Sequence, residues 1–492
     1  MATETELKLS LPARAARRLA AHPLLAGIAP LKQRLLNTYY DTPDLQLQRE
    51  RVAVRYRRKG RDWLLTVKSA APASGGLARR SEWETPGLPG EFDFSHVDDG
   101  ALRHRLEALR PALTPAFSTD FTRSAWILQP DADTRIELAL DRGWIAHGER
   151  REPICEIELE LLAGNVVALF DAALALQQDL PLHPESVSKA ERGYRLYADT
   201  APSPVKARVP TLPSDSGTID AFRRITLECL QHLQGNEQGA RLSSDPEFVH
   251  QARVAIRRLR SALKIWAPLL PPAFVDAFGG RWQTLAQQLG EARNWDVLAS
   301  ETLPPLACVF PHHRRIARLV RQAERQQARC RKAVRAAFGD AAYSRLLLEF
   351  TAALLALTEP HRGETLASFA RTCLKQRMKR TRQRAKPALD TDPAARHRLR
   401  VAVKQLRYTL EFFAGPLASG RLRRSLAAAS ELQTLLGTLN DLTVARGLLD
   451  SLPGGCPKLA AGWLAGREET PLRQLGCALE SLGRQPKPWT RG

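Results

Sequence analysis

The chain has 492 residues, 44% hydrophobic and 25% charged, with a formal net charge of +21. That length suggests two or three domains, each with its own core, and the composition is that of a soluble globular protein. No apolar run approaches the roughly 18 residues that a membrane span needs, and the seven scattered cysteines, with no CxxC pair, argue against a disulfide framework or zinc ribbon. The N-terminus lacks a basic stretch followed by an apolar one, so no signal peptide is expected and the predicted location is cytoplasmic.

The first stretch is Glu4-Thr5-Glu6-Leu7-Lys8. As a strand, its period of two puts Glu4, Glu6 and Lys8 on one face and Thr5 and Leu7 on the other. Taken alone, the charged face reads first as a solvated edge strand. It also suits a hard divalent cation bound by oxygen, with a lysine beside it for an anion that the metal touches.

A helix is predicted over 12–21, then strands over 35–42, 52–58, 63–68, 79–84, 121–128, 135–141 and 154–162, separated by turn residues. Their alternating faces gather Arg55 with Arg57, Thr66 with Lys68, and Arg80 with Glu82 and Glu84. Further on, Arg123 stands on one strand, Glu137 with Asp141 on the next, and Glu156, Glu158 and Glu160 on the last. Charges of both signs on nearly every strand are too dense for a merely solvated sheet. Closed with that face inward, the sheet becomes a barrel with a polar lumen, where Arg and Lys grip phosphate oxygens and carboxylates hold a metal.

These segments, with Tyr40-Asp41-Thr42 and Ser188-Lys189-Ala190-Glu191-Arg192-Gly193-Tyr194, resemble the CYTH domain of the triphosphate tunnel metalloenzymes over residues 1–199. The resemblance implies an α+β domain built on an eight-stranded antiparallel β-tunnel that uses Mg²⁺ or Mn²⁺ on triphosphate groups. It implies Glu4, Glu6, Glu156, Glu158 and Glu160 as metal ligands, with Glu4, Glu6 and Lys8 at the reacting centre. Arg55, Arg57, Lys68, Arg80, Arg123 and Lys189 would join Lys8 in holding the triphosphate. No GxxxxGK[ST] stretch is present, so a P-loop is not indicated.

Residues 200–217 hold four prolines between Pro202 and Pro213 and read as a semi-rigid linker. The charge is divided unevenly. Residues 1–200 carry 27 basic and 28 acidic side chains, the remainder 46 and 24, so the C-terminal part should attract a polyanion.

That part, 218–490, reads as helical. At 100° per residue, His250, Arg253, Arg257, Arg260 and Lys264 fall within about 80° of one another, with Leu259, Leu263 and Trp266 opposite. The pattern recurs 147 residues on, in His397, Arg400, Lys404 and Arg407, with Glu411 in place of Lys264. A duplication at this separation predicts two helical-bundle halves about a pseudo-twofold axis. Like charges one turn apart cost stability, so the stripes point to a bound polyanion. They contain no interleaved aromatics, which disfavours nucleic acid and favours a bare phosphate chain.

The segment resembles the CHAD domain, an all-α helical bundle with internal duplication, which implies binding of inorganic polyphosphate. Asn294 stands where that family's acidic residue is expected. The leading expectation is hydrolysis of inorganic triphosphate to diphosphate and phosphate in the tunnel, with polyphosphate docking on the helices and polyphosphate granules as an associated location. Two alternatives remain open. One keeps the tunnel for a nucleoside or thiamine triphosphate, adenylate cyclisation included, supported if Trp63 or Trp83 stacks on a base. The other is a non-catalytic polyphosphate-binding adaptor.

Overall fold

The computed structural model describes residues 2–69, 73–210, 212–213, 215–359, 364–389, 392–417 and 419–489. Thr211 and Ser214 of the predicted linker, and Thr490 at the predicted end of the helical domain, lie outside the described residues. The chain divides into two compact units, Met1–Ser203 with Gly339–Ala356, and Pro204–Phe338 with Leu357–Gly492. Among the described residues no helix is long and apolar enough to cross a membrane.

The first unit is the predicted tunnel. Its strands are β1 (Ala2–Ser10), β2 (Leu31–Asp41), β3 (Val52–Lys59), β4 (Asp62–Ser69), β5 (Leu77–Pro86), β6 (Thr114–Leu128), β7 (Arg135–His147) and β8 (Arg150–Ala163). They pair antiparallel in the order β5-β4-β3-β2-β6-β7-β8-β1, and β1 also pairs with β5, closing the barrel. A two-residue strand, β9 (His183–Pro184), adds to β1 beside Leu9.

The apolar residues decide which face turns inward. Leu7, Leu9, Leu138, Leu140, Ile157 and Leu159 point outward and are buried beneath the helices Ala13–Leu19 and Val167–Gln177. Each such side chain stabilises by roughly 1.5–3 kcal/mol on burial. A one-residue slip would expose the whole set, so the register is strongly specified and the alternate charged residues must face the lumen. The helix Ala341–Ala356 completes this unit, although it lies far along the sequence. Leu348 and Ala352 join the core, and Ser344 Oγ lies 2.8 Å from His183 Nδ1 on β9.

Helix Lys189–Ala198 places one functional residue. Ser188 caps it through a reciprocal capping box with Glu191, which fixes Lys189 in the first turn. Gly193 is required there, because a Cβ would collide with the Phe117 ring.

The second unit is helical, and its duplication extends to the caps. Helix Pro246–Trp266 is capped by Asp245 and helix Pro393–Phe412 by Asp392, each with proline at the first position. Trp266 is fully buried beside Phe369 and Phe413, and its indole N–H donates to Thr218 O at 2.8 Å. The two repeat helices are joined directly: Arg258 Nη1 meets Glu411 Oε2 at 2.7 Å, and Arg257 Nε donates to the Tyr408 hydroxyl at 2.6 Å. The proline-rich segment lies against this unit, with Arg208 O accepting from Arg258 Nη2 at 3.0 Å and Val205 N donating to Asn236 Oδ1 at 3.0 Å.

Candidate active site and anion pocket

The lumen is a cavity of about 530 Å³ lined by Glu4, Glu6, Lys8, Arg55, Arg57, Lys68, Arg80, Arg123, Glu158, Glu160 and Lys189 among the residues expected from sequence. Of the expected tunnel residues, only Glu156 is set behind the lining, nearly fully buried. Trp63 and Trp83 face away from the lumen into the flanking core, and the rings that do line it are Tyr39 and Phe121.

Most lumen cations are matched to carboxylates. Lys68 Nζ lies 2.8 Å from Glu4 and 2.7 Å from Glu82, Arg80 is 3.2 Å from Glu6, and Arg55 is 3.6 Å from Glu82. Burial opposes charge on Lys8, yet Glu6, Glu156 and Glu158 outweigh it and hold the ammonium above the ordinary lysine range. Arg57 is matched most weakly, with Glu84 4.0 Å away, and burial, then Arg55 and Arg123, push it down to about 10.

The carboxylates fall into two groups. Asp141, Glu156 and Glu158 converge closely enough to bind one ion. Lys189 Nζ already occupies that convergence, at 2.7, 2.5 and 2.9 Å, and Arg123 pairs with both Asp141 and Glu158. These cations hold Glu158 well below the usual carboxylate range despite its burial. This group is internally neutralised.

The second group is neutralised only at its ends: Glu6 pairs with Arg80 at 3.2 Å and Lys8 at 3.8 Å, and Glu137 with Arg123 at 3.9 Å, while Glu160 forms no ion pair among the described residues. Across the barrel Glu137 stands opposite Glu160, and Glu160 opposite Glu6, an unbroken acidic row over three strands. Burial, then the carboxylates of Glu4 and Glu137, push Glu160 up to about 7 against the pull of Lys68. Like charges directly opposite one another on a sheet are destabilising, and a divalent cation with oxygen ligands removes that cost.

In the helical unit the two basic stripes meet. His250, Arg253, Arg257, Arg400 and Lys404 line a cavity of about 240 Å³, together with Arg293, Asn294 and Asp441. An adjoining one of about 230 Å³ adds Arg260 and Lys264. His397 and Arg407 line neither. His397 faces Asn440 at 3.2 Å, and Arg407 pairs with Glu411 and donates to Gln433 at 2.8 Å.

Here the cations depress one another. Burial, then Arg400, Arg257 and Arg253, push Lys404 down to about 6. Burial, then Arg257 and Arg400, bring Arg253 to about 10, and burial with Arg293 brings His250 to about 4. Asp441 is the one carboxylate in the lining of the first cavity, and the second has none.

Sequence reasoning gave no site role to Glu137, Asp141, Arg293 or Asp441. The first two were visible as a shared strand face; their separation into different clusters follows from cross-strand register. Arg293 and Asp441 carried a signal only through the 147-residue offset, which aligns Asn294 with Asp441.

Comparison with known proteins places two families on the chain, the CYTH domain at residues 2–194 and the CHAD domain at residues 224–450. Over 200 residues, 40% of this chain, the sequence is 36% identical to an inorganic triphosphatase of Haemophilus influenzae and covers 55% of it. The chain thus spans about half the length of that curated relative. The crystal structure of the CHAD domain from the plant Ricinus communis matches with a TM-score of 0.50 at 33% identity, covering 58% of this chain and 98% of that one.

Proposed function

The chain belongs to two families in tandem, a CYTH domain followed by a CHAD domain, and from that premise we propose that its tunnel is a metal-dependent inorganic triphosphatase. The observation that carries the reading is the acidic row Glu6, Glu160 and Glu137, whose middle member Glu160 forms no ion pair among the described residues although the same lumen is lined with cations. Glu4 and these three offer the oxygen donors that Mg²⁺ or Mn²⁺ takes. An ion would have to draw them together, since among the described residues the carboxylates already within 4.8 Å of one another are Asp141, Glu156 and Glu158. Glu156, with the Lys189 ammonium 2.5 Å away, is better suited to holding that lysine. Bound at the row, the ion would neutralise phosphate charge and lower the pKa of a water.

The protein's own part is positioning. Arg55, Arg57, Arg80, Arg123 and Lys68 present a wall of donors to the non-bridging oxygens, and catalysis of phosphoryl transfer is chiefly such positioning and charge stabilisation. Arg57, short of carboxylate partners, gains most from a phosphate. Lys8 and Lys189 stiffen the carboxylates behind the wall. Ser188, an aliphatic hydroxyl in the lining, is committed to its helix cap, which leaves water as the nucleophile.

The helical unit would capture inorganic polyphosphate in the cavity where both stripes converge. Burial and the neighbouring arginines lower Lys404, Arg253 and His250 together, which describes a site that an anion relaxes. Stacking of Trp63 or Trp83 on a base would have supported the nucleotide and thiamine readings; neither lines the lumen, where the rings are Tyr39 and Phe121.

The test is phosphate release from inorganic triphosphate, ATP and thiamine triphosphate, each with Mg²⁺, Mn²⁺ or EDTA. Chelator-sensitive turnover highest on inorganic triphosphate is expected. Preference for an organic triphosphate would replace the substrate, and absence of turnover under every condition would leave the adaptor reading.

A further inference from the structure

Helix Arg314–Gly339 bears a feature that neither cavity uses. Arg314, Arg318, Arg321, Arg325, Arg329 and Lys332 fall within about 80° of one another at 100° per residue, and at 1.5 Å per residue they form a ridge about 27 Å long. All six are exposed. Among the described residues none of the six forms an ion pair, and the helix's one acid, Glu324, lies off the ridge. Two exposed arginines elsewhere in this unit take a glutamate one turn back, Arg473 with Glu469 and Arg484 with Glu480. Uncompensated cations one turn apart cost stability.

The other side of the helix is anchored. Ile316, Leu319 and Ala323 pack into a core with Leu298, Leu303 and Leu449. Gln327 Nε2 and Arg331 Nε both donate to Asp296 Oδ1, at 2.8 and 3.0 Å. Asp296 sits three residues beyond Arg293, which lines the cavity between the repeats. The ridge is therefore held outward, beside a wall of that cavity.

Its chemistry narrows the occupant. The helix's single aromatic, Phe338, is buried, so bases have nothing to stack on. Among the described residues it exposes no large apolar side chain for insertion into a membrane. A helix seated flat on a bundle cannot enter a major groove about 12 Å wide. A row of cations repeating about every turn, with neither rings nor apolar side chains between them on the ridge, suits a linear chain of phosphates best.

We propose that this ridge is a second track for inorganic polyphosphate, engaged only by chains too long to end within the cavity between the repeats. The proposal rests on the reading of that cavity as a polyphosphate site. The ridge then makes the helical unit selective for chain length: tripolyphosphate is held by the cavity alone, and long chains by both.

The experiment uses the full chain with Arg57→Ala and Arg80→Ala in the tunnel, in EDTA, so that binding reports the helical unit, and measures binding of tripolyphosphate, of polyphosphate on the order of 100 phosphates long, and of a duplex DNA, at several salt concentrations. Three variants are compared with the parent: Arg318→Glu with Arg325→Glu on the ridge, Lys404→Gln in the cavity, and Arg473→Glu with Arg484→Glu as a control of equal charge change. The ridge variant should lose roughly tenfold in affinity for long polyphosphate and flatten its salt dependence by about two ions, leaving tripolyphosphate unchanged. The control should do neither, and Lys404→Gln should weaken both phosphates. An unchanged ridge variant, or one no worse than the control, overturns the track while the cavity reading stands. A greater loss for DNA than for polyphosphate overturns the occupant. Failure of the parent to bind either phosphate overturns the cavity reading, and the track with it.

Discussion

The tunnel lumen and the cavity between the helical repeats are both lined with Arg and Lys, yet their electrostatics run in opposite directions. In the lumen, carboxylates, joined at Arg55 by Tyr39, outweigh burial and raise Lys8, Arg55, Arg80 and Arg123 above their ordinary ranges. In the cavity, burial and neighbouring cations lower Arg253, Arg400 and Lys404. The lumen keeps its cations in place before any ligand arrives and leaves a surplus of negative charge at one row, which suits a metal and a turning-over substrate. The cavity stays under-neutralised until an anion binds, which suits retention. The two proposed phosphate sites thus differ in whether the protein or the ligand would balance the charge.

The contrast can be broken most sharply at Lys189. Lys189→Ala would leave Asp141, Glu156 and Glu158 facing one another without their shared cation. Removing one partner of a buried ion pair costs about 3–5 kcal/mol, so chemical denaturation should show a loss of that size in the tunnel unit. An equally stable variant would mean that the lumen does not balance its own charge.

Next is the acidic row. Glu6→Gln with Glu160→Gln should lower metal-dependent phosphate release by roughly 100-fold or more, since even residues that only support metal ligands cost 10–100-fold. The same change should weaken Mn²⁺ binding measured directly by calorimetry. Unaltered metal affinity would move the ion to the Asp141 cluster.

The cavity makes a prediction in pH. Free Lys404 is held neutral above about 6, and an anion paired with it restores its proton. Binding therefore takes up a proton between about pH 6 and the ordinary lysine range near 10. Tripolyphosphate affinity at this site should rise as pH falls through that window, by up to about tenfold per pH unit, and level off below it. In the free protein the sign reverses: the unfolded chain binds the extra proton, so the Lys404 contribution to stability falls as pH drops. Calorimetry in two buffers of different ionisation enthalpy measures the uptake, and Lys404→Gln should abolish it.

The smallest effect belongs to ion pairs outside both sites. Glu469→Gln, which removes the partner of exposed Arg473, should change stability by less than about 0.5 kcal/mol. A larger shift would show that surface charge, rather than the two sites, dominates this molecule's electrostatics.

Much of this was legible in the sequence because periodicity records which side of an element faces apolar neighbours. Alternation in Glu4–Lys8 and in 154–162 identified the lumen face, and the recurrence of His250–Lys264 at 397–411 identified the duplicated helices. Strand extents were read short: β6 begins at Thr114, where a proline at 115 and mixed polarity hid the pattern. The helix Ala341–Ala356 has the apolar pattern of any bundle helix, and nothing local marks its place in the tunnel unit.

By itself, then, the sequence determined the closed polar tunnel, the paired basic stripes and most of the charged residues that line the two sites. Only the tertiary structure separated Glu156 from Glu160, giving one carboxylate to Lys189 and leaving the other between two acidic neighbours with no ion pair among the described residues. Likewise it turned Arg407 toward Glu411 while bringing Arg253, Arg400 and Lys404 into one cavity. The physical reason is that a residue's face follows from a period of two or 3.6 along its own segment. Its charge state and partners depend instead on atoms a few ångströms away on other segments, brought there by strand register and helix packing.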